Sequence, residues 1–264
     1  MKNSEIINFQ PIERYELKFI ISFSLIDPIS EYVSIYASPD KYSLKTRSGY
    51  YKVNNLYLDS PEYLFLKMRL NGSKNRFNMR VRAYGDHAEL PYFLEIKQKT
   101  GNIVKKYRTE VSDPLWYKTY TNPGSMNIEN RNCKNRQLFE RLLYSYNASP
   151  KIFTQYMRKA WISEVDSYAR ITFDLDLRYM AQSNYCFNYS EHELSSCDTE
   201  TMFDPGCSVI LELKCFSAYV PLWMIDMIKT FNLNRRSFSK YLTGAVELFS
   251  RHRYDRANIV SIFN

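Results

Sequence analysis

The segment FNMRVRAYG, residues 77–85, alternates as a strand does and sets Arg80 and Arg82 on one face, two positions apart. Two guanidinium groups held side by side repel each other unless an anion sits between them. Their planar forks suit the oxygens of successive phosphates better than an ammonium does. The same alternation gathers charge on other segments. Arg14, Glu16 and Lys18 share a face opposite Tyr15, Leu17 and Phe19, and Glu95, Lys97 and Lys99 oppose Leu94 and Ile96. Arg158 opposes Met157 and Lys159; Arg170, Thr172, Asp174 and Asp176 oppose Ile171, Phe173, Leu175 and Leu177; Glu212 and Lys214 oppose Leu211 and Leu213. A single charged strand face reads as one turned to water, as in many antiparallel sheets. Repeated over many strands and biased to Arg and Lys, it also reads as the lining of a closed barrel whose outside packs on helices, and such a lumen would hold a polyanion. Two readings stand for the carboxylates inside it. Glu16 and Glu212 bind Mg²⁺ or Mn²⁺ that bridges phosphate oxygens, or they make internal salt bridges to neighbouring Arg and Lys.

Eight alternating segments must position these side chains: residues 14–21, 50–59, 77–85, 92–99, 104–111, 153–162, 169–180 and 208–216. Thr100, Gly101 and Asn102 are a short turn-forming link that makes the fourth and fifth an antiparallel hairpin. The expected fold is α+β, an antiparallel eight-stranded β-barrel tunnel buttressed by α-helices. In SPEYLFLKMRLNG, Ser60 is the expected N-cap, Pro61 the first helical residue and Gly72 the residue past the end. NRQLFERLLYSY and PLWMIDMIKTF carry helical apolar spacing. A last helix is predicted after Ser239, and its early Lys240 has the wrong sign for a helix N-terminus unless an anion binds there. Residues 181–207 lack periodicity and read as a long exposed connection. With no repeat and no linker, residues 1–264 read as a single domain.

Composition bounds the function. An apolar content of 45% with 16% aromatic residues supplies a packed core, and a formal charge of +8 predicts an anionic partner without choosing among nucleic acid, membrane surface, nucleotide and inorganic phosphate. Cys133, Cys186, Cys197, Cys207 and Cys215 form no CxxC pair, and MKNSEIINFQ carries no secretion signal, so a reducing cytoplasm is expected. The apolar run AYVPLWMIDMI is interrupted by Pro221 and Asp226 and falls short of the ~20 residues of a spanning helix. His87, His192 and His252 lie far apart in polar stretches, which argues for surface residues and against a histidine metal site or a Ser-His-Asp triad. Tyr15, Tyr51 and Tyr57 read as barrel-packing residues rather than base-stacking platforms, and a duplex cannot enter a strand-lined lumen, so nucleic acid is not the expected partner. The tail RHRYDR, residues 251–256, reads as a solvated helix end or a contact for a partner or acidic lipid.

Taken in chain order, RYELKF, YLDS followed by a proline, MRVRAYG, LEIKQK, YMRKAW, ARITFDLDLRY, ILELK and FSKYLTG resemble the VTC-type polyphosphate polymerase domain over about residues 12–247. That domain belongs to the triphosphate tunnel superfamily, shared with CYTH phosphatases and cyclases. The resemblance implies a tunnel that binds ATP and transfers its terminal phosphoryl group to inorganic polyphosphate or pyrophosphate with a divalent metal, usually Mn²⁺. It implies phosphate ligands at Lys18, Arg80, Arg82, Lys97, Lys106, Arg158, Arg170 and Lys240, with help from Ser239, and a metal ligand at Glu212; Glu16 joins Glu212 on ligand chemistry. The catalytic set is expected at Arg80, Arg82, Arg158 and Lys240. Family members can carry a basic residue two positions before the Ser of the FSK motif, where this chain has Ser237 preceded by Arg235 and Arg236. Hydrolases of the superfamily typically open with an acidic ExExK strand and carry a late acidic pair. Here Arg14 and Ile210 stand at those positions, leaving fewer metal ligands and no obvious base for water. The expectation is a polymerase, with a tunnel triphosphatase or a non-catalytic polyphosphate-binding module as alternatives. Polymerases of the eukaryotic complex come with a separate regulatory domain and membrane helices; neither is expected in these 264 residues, and a membrane-protein partner is expected as a possible receiver of the product.

Overall fold

Each of the eight alternating segments forms a strand in the computed structural model, which describes residues 14–101, 103–118, 133–166, 168–197, 207–216 and 220–251. The strands are β1 (Arg14–Ser22), β2 (Ala37–Pro39), β3 (Tyr51–Asp59), β4 (Asn75–Tyr84), β5 (Glu89–Thr100), β6 (Ile103–Val111), β7 (Ser149–Ser163), β8 (Arg170–Ala181), β9 (Ser195–Ser196) and β10 (Cys207–Phe216). Eight of them make one antiparallel sheet in the order β1, β10, β8, β7, β3, β4, β5, β6, with β2 added on β7 and β9 on β8. The hairpin expected at residues 100–102 is the β5–β6 pair, closed by Thr100 opposite Ile103. In a flat sheet the first and seventh strands of this order would lie roughly 29 Å apart. Instead Lys97 of β5 reaches Glu16 of β1 as an ion pair, so the sheet curls until its ends face each other.

Five helices are present among the described residues: α1 (Ile26–Ser34), α2 (Leu64–Leu70), α3 (Lys134–Ser145), α4 (Leu222–Thr230) and α5 (Lys240–Arg251). The apolar strand positions between the charged ones bury against them. Phe19, Ile171, Phe173, Leu211 and Leu213 pack on Ile29 and Val33 of α1 and on Met224 and Met227 of α4. Leu56, Val81, Leu94 and Ile96 pack on Phe139 and Leu143 of α3 and on Phe65 of α2. Helix α5 takes the other side. Its Tyr241, Ala245 and Leu248 fill part of the concave face against Tyr57, Tyr156, Leu177 and Tyr179. Gly244 permits that approach, because a Cβ there would meet the Tyr179 Cβ at 3.3 Å.

Local details depart from the sequence reading. Helix α2 starts at Leu64 rather than Pro61, because Tyr63 adopts a left-handed conformation (φ 56°). The cap is shared: Ser60 Oγ accepts the Leu64 N–H, while the Asp59 carboxylate accepts those of Ser60, Phe65 and Leu66. Its end is as expected, with Gly72 at φ 62° donating to the Arg69 carbonyl. Asp176 leaves the charged face. A register shift opposite Gln155 and Met157, with φ 51° at Asp176, advances the alternation by one residue. Asp176 then pairs with Arg178, and Leu177 and Tyr179 turn inward onto α5. Tyr15 is 48% exposed and packs no barrel, whereas Tyr51 and Tyr57 are buried. The connection after β8 is not wholly exposed: Phe187 and Cys197 are buried and β9 pairs with β8. Residues 198–206, Asn102, His252 and the tail beyond Arg251 lie outside the described residues. His87 and His192 are exposed, as expected. No helix among the described residues is long and apolar enough to cross a membrane.

Candidate functional site

The concave face carries its charges as clusters built around four carboxylates. Glu95 of β5 receives Arg80 Nη2 and Lys106 Nζ, each at 2.7 Å, and Arg108 Nε at 3.6 Å. The antiparallel register makes this inevitable, since Arg80 and Arg108 stand directly opposite Glu95 on its two neighbouring strands. Asp174 of β8 accepts Arg158 through both oxygens, at 2.6 and 2.7 Å, and Lys240 Nζ at 2.6 Å. Glu212 of β10 lies 3.0 Å from Lys214 and 3.8 Å from Lys18, and Glu16 pairs with Lys18 at 3.4 Å and with Lys97. Arg82 has no carboxylate. It is held by Asn55 Oδ1 at 2.9 Å and by the Tyr156 hydroxyl at 3.1 Å, which aims a buried guanidinium at the same space.

The structure therefore brings together Lys18, Arg80, Arg82, Lys97, Lys106, Arg158, Lys240, Glu16 and Glu212 from the sequence reading. Ser239 stands immediately before α5 and accepts the Leu242 N–H at 3.4 Å, so the helix start opens beside Lys240 and Asp174. Lys18 Nζ donates to the Phe238 carbonyl, tying β1 to the same helix start. Arg170 lies on the same face, opposite Lys214, with its guanidinium donating at 2.7 Å to Asp40 Oδ2, which also receives the Tyr51 hydroxyl. Arg235 and Arg236 are exposed, and Ser237 instead accepts a hydrogen bond from Arg69 of α2 at 3.2 Å. Sequence reasoning assigned no role to Arg69, Arg108 or Lys214, and it placed Glu95 and Asp174 on the face without giving them one. For Lys214 and Arg108 a signal existed, because each lies two residues from a predicted ligand on the same strand face. For Arg69 there was none, since it arrives from a helix.

Nine of these cations, Lys18, Arg80, Arg82, Lys97, Lys106, Arg108, Arg158, Lys214 and Lys240, face four carboxylates, a surplus of five positive charges. Burial would raise the Glu95 carboxyl, but Arg80, Arg82 and Lys106 hold it well below the usual range. Burial likewise opposes ionisation of Asp174 and Glu212, yet Arg158 and Lys240 keep the first carboxyl low, and Lys214 and Lys18 the second. Two lysines are lowered: Lys97, by burial and by Lys18 against the pull of Glu16, and, further, Lys106. Burial, together with Arg82 and Arg80, outweighs Glu95 and lowers Lys106 to about 7.

Among the described residues no group of three or more His, Cys, Asp or Glu could hold a metal ion. Glu16 and Glu212 both contact Lys18, at 3.4 and 3.8 Å. That donor set fits a hard cation carried largely by phosphate oxygens, which needs only one or two protein carboxylates, and it does not fit an all-protein cage.

Comparison with known proteins places this geometry. The family model of the VTC domain matches residues 13–249. Subunit 4 of the vacuolar transporter chaperone complex of Trypanosoma cruzi (strain CL Brener) is 24% identical over 227 residues, covering 75% of this chain and 28% of that protein. The chain thus spans well under a third of that relative's length. Among solved structures, a proposed adenylate cyclase from Bacillus halodurans superposes with a TM-score of 0.50 at 10% identity, covering 86% of this chain and 94% of the other. A proposed adenylyl cyclase from Hippeastrum with dominant triphosphatase activity gives 0.47 at 12%, covering 90% and 97%. The Bacillus likeness supports the fold alone.

Proposed function

The chain belongs to the VTC domain family, and from that premise we propose that it is a polyphosphate polymerase, transferring the terminal phosphoryl group of ATP to a growing inorganic polyphosphate chain. The observation that carries this reading is the condition of the four inward carboxylates. Every one is engaged by Lys or Arg, so the face offers cations in surplus to phosphate oxygens and offers water no free carboxylate. Phosphoryl transfer asks little else of a protein, since in-line positioning and neutralised charge suffice and a terminal phosphate is already an anionic nucleophile. Arg80 and Arg82 clamp successive phosphates. Arg158 and Lys240, prepositioned by Asp174, bind the oxygens that gain charge in transfer, beside the N–H groups at the start of α5. Lys18, Lys97, Lys106 and Lys214 hold the remainder of the chain. Glu212, with Glu16, would hold Mn²⁺ or Mg²⁺, which when bound supplies further charge neutralisation at the phosphates. Arg170, already paired with Asp40, serves the rim. The relative's membership of a transporter chaperone complex supports a membrane-protein partner that receives the polymer from a domain working in the cytoplasm.

The test is incubation of the purified protein with ATP, Mn²⁺ and a trace of pyrophosphate, with long-chain polyphosphate and orthophosphate measured in parallel. Polymer with ADP is the expected result. Orthophosphate without polymer would replace the polymerase by a tunnel triphosphatase, and neither product would leave a binding module.

A further inference from the structure

On the outside of the sheet, far from the charged face in the fold's layering, α1, α4 and the turn after β7 enclose a groove lined by Tyr32, Tyr36, Val165, Asp166, Trp223 and Asp226, with Leu222 on its rim. Its floor is fixed. Tyr36 stacks on Trp223 with centroids 5.2 Å apart and planes at 6°, Trp223 Nε1 donates to Asp166 Oδ2 at 2.7 Å, and the Tyr32 hydroxyl donates to Asp226 Oδ2 at 2.8 Å. Its rim is apolar and uncovered, with Leu222 82% and Val165 69% exposed. Among the described residues, Asp166 and Asp226 each keep one oxygen without a hydrogen bond and neither forms an ion pair, on a chain whose net charge is +8. These two carboxylates, Asp226 exposed and Asp166 half-buried, flank an exposed leucine and valine with no cation paired to them among the described residues.

We propose that this groove docks an amphipathic helix of a partner protein, one that presents aliphatic side chains flanked by Lys or Arg. Two helices side by side with a trough between them accept a third by interdigitation, and apolar anchors at helical spacing would seat between Leu222 and Val165 over the Tyr36–Trp223 stack. The aspartates select the sign of the flanking charge. A second copy of the chain is disfavoured, because a two-fold contact through this face would set Asp166 and Asp226 against their own counterparts.

The experiment uses the full chain and two synthetic helical peptides, one of Leu and Lys and one with Glu in place of every Lys, with binding followed by tryptophan emission and calorimetry. The Leu/Lys peptide is expected to bind and the Leu/Glu peptide to fail. The double variant Asp166→Asn/Asp226→Asn retains acceptor oxygens for Trp223 and Tyr32, so it keeps the floor while weakening the Leu/Lys peptide about tenfold or more. Leu222→Ser, at a position outside the core, should weaken it as well. The melting-temperature rise produced by tripolyphosphate should be unchanged in both variants, which separates loss of this surface from loss of the fold or of the basic face. Equal binding of both peptides, no binding of either, or unchanged affinity in the double variant would overturn the proposal. So would a wild-type dimer that Leu222→Ser dissolves, which would make the occupant a second copy.

Discussion

Asp174 shows how a single carboxylate can organise a basic surface. It sits buried with Arg158 on both of its oxygens and Lys240 on one, so removing Arg158 leaves a buried charge half compensated. Arg158→Ala is expected to lower unfolding free energy by about 3–5 kcal/mol in urea titrations, and adding Asp174→Asn should restore much of the loss. Arg80→Ala should be milder, because Glu95 keeps Lys106 and Arg108. Both single variants should lose polymer synthesis, and robust synthesis by a folded Arg80→Ala protein would remove Arg80 from the site. Lys106 brings a pH dependence. Its ammonium, lowered to about 7, is neutral in much of the free protein at pH 8.5, and a bound polyanion favours the charged form. Tripolyphosphate binding at that pH should therefore take up a proton, visible by calorimetry in buffers of different ionisation enthalpy, and Lys106→Arg should reduce the uptake. For stability the sign is opposite in sense: between pH 7 and the unfolded lysine value the unfolded chain binds more protons, so this residue makes the ligand-free fold more stable as pH rises.

At the scale of elements, α5 is what turns a curled sheet into a site, and Asp59 is what fixes α5. The same carboxylate that caps α2 accepts the Tyr241 hydroxyl at 2.6 Å, and the Tyr241 ring stacks on Tyr57 at 4.9 Å, whose hydroxyl receives Arg80. Tyr241→Phe should cost about 1–3 kcal/mol of stability and also weaken tripolyphosphate binding, since Lys240 is its neighbour in the helix. Full affinity in that variant would show that the latch does not position Lys240. The eight strands were legible because uninterrupted alternation commits each residue to a face, and the helices at 134–145, 222–230 and 240–251 because their apolar spacing is regular. What resisted reading depends on neighbours distant in sequence. The bulge that ejects Asp176 is set by the register of β7, and the start of α2 by a tyrosine in a conformation its type does not announce. The charged faces were read correctly as a set, but which cation grips which carboxylate follows from cross-strand pairing, and Arg69 enters from a helix that no alternation connects to the face.

For the whole molecule, a surplus of five cations on one concave surface is a self-repulsion that an anion relieves. Tripolyphosphate at a hundredfold excess over its dissociation constant should add about 2.7 kcal/mol of stability, read as a rise of several degrees in melting temperature that shrinks as salt increases. No rise at low salt would contradict the basic face as the binding surface. The strand order carries a last consequence, for how the chain is made. Among the described residues β1 pairs with β10 and, through Phe19, with Arg235, and 194 positions separate Lys18 from Glu212, so β1 emerges from the ribosome with no strand partner until β10 has been translated. Chains halted before residue 207 would hold Arg80, Arg82, Lys97, Lys106 and Arg158 and still be expected to fail to retain tripolyphosphate. The basic face is completed only once β10 and α5 have been made, and until then its lysines and arginines are open to every other polyanion around the nascent chain, ribosomal RNA first among them.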